Sequence, residues 1–409
     1  MNKRVSEAFL ITVFMGVLSC SKESNKLLPP APIVESLEIV WRRPIVPDPA
    51  LNYTISMNPV LHGAYVVFGT EYVLDGVVAP VLFMDTATGD IRKYWNDYSN
   101  GPDAFDSEGT LKEGRYLLLR KSSSIDCIDL ESVQTQWQSN AVSGLPNLYA
   151  KDGFIYATAD YNNGRSNAIM RTPVDQLAWD TVYAFTKTDR YMPDFIAFGF
   201  GTLANGDQVI VWKNRNWGSG YGWITDIFAF NLTADSLMWR NRDLDINSGI
   251  IPLKIDEGVV YGLVRNRAFA MELATGSLLW DQNVNQLVGP TLSMEFFNGD
   301  LHIGPDHVVI MGQSDELAAL RKQDGGLVWK REDNGFGMED RFTYFEGKLF
   351  FPSGGLRIVD AQNGGALISQ TLSEEIDKIE SRIIVDGQRR VMYFHTGREA
   401  FCVRIPRGI

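Results

Sequence analysis

Hydrophobic positions in this chain fall in short runs, not in helical stripes. The pattern is clearest from Gly258 to Gln282, GVVYGLVRNRAFAMELATGSLLWDQ. Three apolar runs, VVYGLV, AFAMEL and SLLWDQ, are separated by tight polar or glycine-containing breaks. Each is rich in β-branched, aliphatic or aromatic residues, which predicts three antiparallel strands in a meander. Ala274-Thr275-Gly276 makes the second turn, where glycine supplies the positive φ that tight hairpins often need. Trp280 follows that glycine by four positions.

The same spacing returns along the chain. Gly325 leads to Trp329, Asp235 to Trp239, Val133 to Trp137 and Asp175 to Trp179. Gly89 leads to Lys93, with the tryptophan displaced by two to Trp95, and Gly364 leads to Ile368. Further strands precede each copy: Ala64–Thr70, Arg115–Arg120, Phe154–Ala159, Gln208–Lys213, Val259–Val264, His307–Gly312 and Lys348–Pro352. A period of roughly forty to sixty residues is that of propeller blades. Val391–His395 and Ala400–Ile405 supply two strands of an eighth copy that has no fourth strand of its own. Leu37–Arg43 is a strand-like run carrying Trp41 and belonging to no other copy. It is expected to complete the last blade, which closes the ring and removes an open edge. The predicted fold is all-β: an eight-bladed propeller of four-stranded antiparallel blades over residues 37–409, closed by the N-terminal strand. The tryptophans are expected to pack between neighbouring blades.

Composition narrows the function. A formal net charge of −12 argues against nucleic acid as a partner, because phosphate backbones reward basic patches. The three cysteines, Cys20, Cys127 and Cys402, form no CxxC or Cys/His cluster, so no zinc site is expected. Cys127 and Cys402 hold the same apolar third-strand position as Phe83, Ile169, Ala229, Ala270, Ala319 and Ile358, and are expected to be unpaired. The histidines, His62, His302, His307 and His395, are scattered and read as strand residues. Asp245 to Gly249 has a calcium-loop flavour but lacks the later acidic positions, and reads as a connecting turn.

The first residues carry an export pattern. Lys3 and Arg4 precede an apolar run from Ala8 to Leu18, too short to span a bilayer and suited to a secretory signal. It ends in Val17-Leu18-Ser19-Cys20, which resembles a bacterial lipobox, with Cys20 as the lipidated residue. Residues 1–20 are expected to be the signal ending at that cysteine. Residues 21–36, with Pro29-Pro30, read as an extended tether.

The repeats resemble the PQQ-like, quinoprotein-type propeller repeat: strand, turn, acidic strand end, two residues, Gly, then Leu-Trp. The likeness is specific in Gly258–Gln282 and His307–Lys330. It implies either a quinoprotein dehydrogenase or a non-catalytic lipoprotein, similar at fold level to the propeller lipoproteins of the outer-membrane β-barrel assembly machinery. Quinoprotein enzymes resemble one another in an adjacent cysteine pair stacked on the cofactor, and no two cysteines are adjacent here. No GxSxG, HExxH or Walker loop appears either. The expectation is therefore no enzyme activity, no cofactor and no metal. The chain is read as a lipid-anchored outer-membrane scaffold that binds a protein partner. Glycan binding at the cell surface and outer-membrane protein assembly are the alternatives, with a quinoprotein enzyme behind them.

Three second-to-third-strand connections are longer than the rest: Glu71–Val78 in blade 1, Asp160–Ser166 in blade 3 and Asn214–Trp223 in blade 4. Long loops on a rigid ring are where recognition usually resides. The candidate binding residues are Tyr161, Asn162 and Arg165 from blade 3, and Arg215, Trp217, Tyr221 and Trp223 from blade 4.

Overall fold

A computed structural model describes residues 37–409 except 46–52, 56, 73–77, 98–104, 122–123, 141–147, 161–165, 186–191, 219–221, 243–252, 290–293, 295, 297–299, 313–315, 333–341, 353–354 and 371–378. Residues 1–36, where the signal, the lipidated cysteine and the tether are expected, and Asp245–Gly249 lie outside the described residues.

Eight antiparallel sheets form the ring. In blade 5 the three expected strands are Val259–Val264, Arg267–Glu272 and Leu278–Asn283, and Lys254–Asp256 is the inner strand. Both faces of the sheet are covered. Val260, Phe269 and Met271 pack towards blade 4, while Tyr261, Ala268 and Ala270 pack towards blade 6. Burial on both sides is why these runs are continuously apolar instead of alternating. In blade 1 the inner strand is split into Tyr53–Ile55 and Val60–His62, both paired with Tyr65–Tyr72. A five-residue helix, Val284–Val288, follows the outer strand of blade 5.

The last blade is completed by the N-terminal strand Ile39–Pro44, paired with Glu399–Arg404. Trp41 lies opposite Cys402, just as Trp137 lies opposite Cys127. Both cysteines are free and buried, and burial pushes each thiol up to about 12. Arg42 pairs with Glu399 at 2.7 Å, and Arg404 Nε donates to Glu38 at 2.8 Å.

One device repeats at the blade interfaces. In all eight sheets the third-to-outer pairing shifts register at the same place, immediately before the tryptophan position. Such a bulge adds local twist. It turns the tryptophan onto the turn of the next blade. The indole Nε1 then donates to the carbonyl of the first residue after that blade's third strand. Trp41 bonds Thr86, Trp137 Val174, Trp239 Leu273, Trp280 Lys322 and Trp329 Ala361, at 2.8–3.2 Å. Where the turn carries a glycine, the ring lies against it. A Cβ on Gly89, Gly276, Gly325 or Gly364 would stand 2.5–2.7 Å from the indole of Trp41, Trp239, Trp280 or Trp329. All four glycines also have φ near +70°.

Blades 1, 3 and 7 depart from this, blade 7 having Ile368 opposite Ile358 in the place of the tryptophan. Trp95 bonds the Thr135 hydroxyl, and the matching turn residue is Val133, at φ 56°. In blade 3 the alignment on Asp175 and Trp179 is off by four residues. Tyr183 stands opposite Ile169, in the place of the tryptophan, because a longer turn precedes the outer strand Asp180–Ala184. The Thr172 hydroxyl organises that turn, donating to the Gln176 carbonyl and accepting from the Ala178 amide. Trp179 reaches back to the Ser139 hydroxyl of blade 2 at 3.0 Å. Blade 4 accordingly has Asp235, at φ 51°, where a glycine would otherwise admit an indole.

Replacing Gly276 by Ala is expected to cost more than about 2 kcal/mol, combining an unfavourable left-handed backbone with displacement of Trp239. Asp235→Ala, at the same turn position without an overlying indole, should stay within about 1 kcal/mol. Urea midpoints of the two variants against the parent check this. Equal shifts would mean that the indole contact does not set the glycine requirement.

Candidate functional site

The blade 4 insertion is not an open loop. The strands Met192–Thr202, Gln208–Gly218 and Gly222–Asn231 continue through it as a paired sheet. They hold eleven, eleven and ten residues, against six in the second and third strands of blade 5. Five extra residues in the second strand, at about 3.4 Å each, carry a three-stranded tongue roughly 17 Å beyond blade 5. The sequence allows this because β-branched and aromatic residues recur on both arms and glycines flank the bend.

Register places the candidate residues. Met192, Trp217 and Trp223 form one cross-strand row, and Asp194, Arg215 and Thr225 form another. Arg215, Trp217 and Trp223 are thus brought together on adjacent strands. Tyr221 lies outside the described residues, as do Tyr161, Asn162 and Arg165 of blade 3. In blade 1 the insertion is again partly strand, with Glu71 opposite Val78. In four-stranded antiparallel blades the second-to-third connections leave from one end of the ring, so these three insertions share a face.

The foot of the tongue is buried and polar. Lys213, Asn214 and Asp226 are all at or below 2% exposure. Lys213 Nζ donates to the Leu263 carbonyl of blade 5 at 2.7 Å. Desolvation pushes its pKa down to about 7. Asp226 accepts from Nε and Nη2 of Arg240, whose guanidinium lies 5.0 Å from the centre of the Phe228 ring. Phe228 stacks on Trp212 with the planes 3° apart. Tyr183, Tyr156, Phe198 and Phe230 extend this cluster across the interface with blade 3. Sequence reasoning missed this foot. The signal was present: Lys213 aligns with Leu263 and Met311, positions that are apolar in regular blades.

The histidines are strand residues as expected, and three play packing roles. His307 Nε2 lies 2.7 Å from the Ala361 carbonyl. His302 stacks on Tyr344 at 3.8 Å, and burial with nearby Lys254 pushes it down to about 4. His395 is enclosed where the last blade meets the first. Its Nδ1 accepts from the Gly397 amide at 3.1 Å, its own amide donates to Ser381, and Phe68 meets it edge-on. Among the described residues no group of His, Cys, Asp and Glu is arranged to hold a metal.

Comparison with known proteins supports the propeller resemblance. Residues 225–408, under half of the chain, match the family described as outer membrane protein assembly factor BamB. No curated protein matches the sequence. The crystal structure of BamB from Moraxella catarrhalis is similar at 12% identity, covering 90% of this chain and 99% of its own, with TM-score 0.58. A europium-containing methanol dehydrogenase is 11% identical over 89% of this chain and 85% of its own, with TM-score 0.59. The quinohemoprotein alcohol dehydrogenase ADHIIG from Pseudomonas putida HK5 is 10% identical over 90% and 76%, with TM-score 0.61. In all, 1042 solved chains match, so the likeness carries the fold and not an activity.

Burial holds His395 neutral, with its pKa pushed down to about 3. The unfolded chain binds that proton near pH 6.5, so it takes up more protons than the native state between those values. Stability should therefore fall as pH drops from about 6.5 towards 3, by on the order of 1.4 kcal/mol per pH unit from this residue. His395→Gln should show a shallower acid limb in urea denaturation followed from pH 7 to 4. An unchanged slope would remove His395 as its cause.

Proposed function

We propose that this chain is an exported, lipid-anchored propeller that serves as a non-catalytic scaffold for a protein partner at the outer membrane. The observation that carries this reading is the blade 4 tongue, in which Trp217 and Trp223 are register partners in a ladder rooted in a rigid foot. Paired aromatics on a preformed sheet offer large contact area at little ordering cost. The match of residues 225–408 to an outer membrane protein assembly factor supports a place in envelope protein assembly. Glycan capture is the second reading, favoured by Arg215 and Asn216 in the same segment as the paired tryptophans.

The combined variant Trp217→Ala, Tyr221→Ala, Trp223→Ala is expected to melt like the parent but to lose its partner in capture from envelope extracts. A glycan array run in parallel assigns the ligand class. Retention of every parental interaction by the folded variant would show that this face is not the binding face.

The anchor is proposed at Cys20, after the Lys3-Arg4 and Ala8–Leu18 signal pattern. Residues 21–36 are sixteen residues of tether, reaching at most about 55 Å when extended. Cys20→Ala should abolish labelling by radioactive palmitate and release the protein from the membrane fraction. Continued membrane association of the unlabelled variant would overturn the lipid anchor.

A further inference from the structure

A cleft of about 360 Å³ opens on the rim of the ring between blades 4 and 5. One wall is Trp239–Arg242, from the outer strand of blade 4 and the residue after it. The other is Thr275–Leu278, from the turn into the outer strand of blade 5. Arg240 is fixed by buried Asp226 at the foot of the tongue. Asn241 Nδ2 donates to the Gly276 carbonyl at 2.9 Å and bridges the two walls.

Arg242 differs from both neighbours. It is exposed, and among the described residues no carboxylate or hydrogen-bond acceptor holds it. Two equivalent turns carry an acid of their own. At the interface of blades 8 and 1, Asp90 follows the turn glycine and lies 3.8 Å from Arg43. On blade 6, Asp324 precedes the glycine and pairs with Arg321 at 2.7 Å. The matching positions on blade 5 are Ser277 and Thr275, hydroxyls in place of both acids. The carboxylate nearest this turn, Glu272, accepts from the Thr275 hydroxyl at 2.6 Å. The result is a cationic, hydroxyl-lined cleft in a chain of net charge −12. Leu278, 40% exposed, lines it, and Leu237 and Leu279, at 44% and 53%, are exposed on the same two outer strands.

We propose that this cleft binds a carboxylate side chain from an acidic segment of the protein partner. The inference rests on the scaffold reading and adds the chemistry that the partner presents. Arg242 supplies the charge, Ser277 a hydroxyl donor, and the leucines contact the apolar residues beside the acid. The missing acids at Ser277 and Thr275 leave the arginine available, because an intramolecular carboxylate would compete for it. Flanking leucines favour a segment alternating acidic and apolar residues over an acidic sugar.

The test is fluorescence anisotropy of the full chain with a labelled peptide alternating Glu and Val, against its Gln-Val counterpart, at low and physiological salt. The Glu-Val peptide should bind, the Gln-Val peptide about tenfold more weakly, and Arg242→Ala should weaken Glu-Val binding about fivefold to tenfold. Arg242→Lys should restore part of the loss, and Arg407→Ala, at an exposed arginine on the C-terminal tail, should leave binding unchanged. The proposal is overturned by parental affinity in Arg242→Ala, by equal losses in Arg242→Ala and Arg407→Ala, or by equal binding of the two peptides. Preference for a labelled oligogalacturonate over the Glu-Val peptide would overturn the peptide assignment. A parent that captures a partner through the tongue but ignores the peptide would fail this proposal alone and leave the scaffold reading standing.

Discussion

The ring depends on one contact made again and again: an indole from one blade's outer strand laid on the turn of the next. Its geometry is strict. The bulge before the tryptophan aims the ring, the glycine lets it approach, and the first carbonyl of the turn takes the indole proton. Burying an indole removes roughly 150–250 Å² from water, worth on the order of 4–6 kcal/mol gross at about 25 cal/mol/Å². A non-directional effect of that size could be met by any large apolar side chain. The hydrogen bond and the glycine contact make it directional, and direction is what a closed ring needs. The N-terminal strand shows the constraint most plainly. Trp41 comes from the opposite end of the chain, yet it meets Gly89 and Thr86 as the in-chain tryptophans meet their own partners.

The contact also explains what was legible in the sequence. The glycine and the tryptophan four residues later were read as parts of one hairpin, whereas each belongs to a different interface. That did not harm the blade count, because the turn and the outer strand recur once per blade even where the glycine or the tryptophan is replaced. It did mislead in blade 3, where Trp179 kept the spacing without the role and Tyr183 held the structural position. Local spacing cannot reveal that error, since the partner of the indole lies some forty residues on. The family match begins at residue 225, just before Trp239, the first of three successive indole-on-glycine steps. Blades 1 to 3 replace parts of the device with a threonine hydroxyl, a longer turn and an aromatic cluster, and lie outside the match.

The tongue was legible as an insertion but not as a sheet. Asn214–Trp223 carries glycines, arginine and asparagine, a composition that reads as loop. Pairing arises because the inner strand lengthens too, so that Met192–Phe195 supplies a third strand against which the hairpin is laid. A two-stranded hairpin alone is marginal in water, and a third strand changes that balance. Propensity within the insertion could not carry this information, since the stabilising strand lies about twenty residues upstream.

The interface beneath the tongue is also where the indole device is absent. Blade 3 offers Tyr183 in place of a tryptophan, and the gap is filled by stacked and tilted aromatics around Trp212 and Phe228. Buried Lys213 occupies a position that blades 5 and 6 give to Leu263 and Met311, and buried Asp226 pairs with Arg240, the reverse of the Arg267–Asp281 pair at the same register in blade 5. Burying such groups is costly unless they are bonded, and a bonded buried group fixes one geometry. Lys213 ties the second strand to blade 5, and Asp226 ties the third strand to Arg240 on the outer strand. The tongue is therefore held from two sides at its base. A sheet held in this way keeps the Trp217–Trp223 row in place before any partner arrives, so association need not order it first. The missing indole of blade 3, buried Lys213 and the lengthened strands of blade 4 meet at one interface. Blade 4 also supplies the wall of the cleft that carries Arg242. Blades 5 and 6 close without these departures, and their coincidence is what motivates the proposal that recognition lies on blade 4.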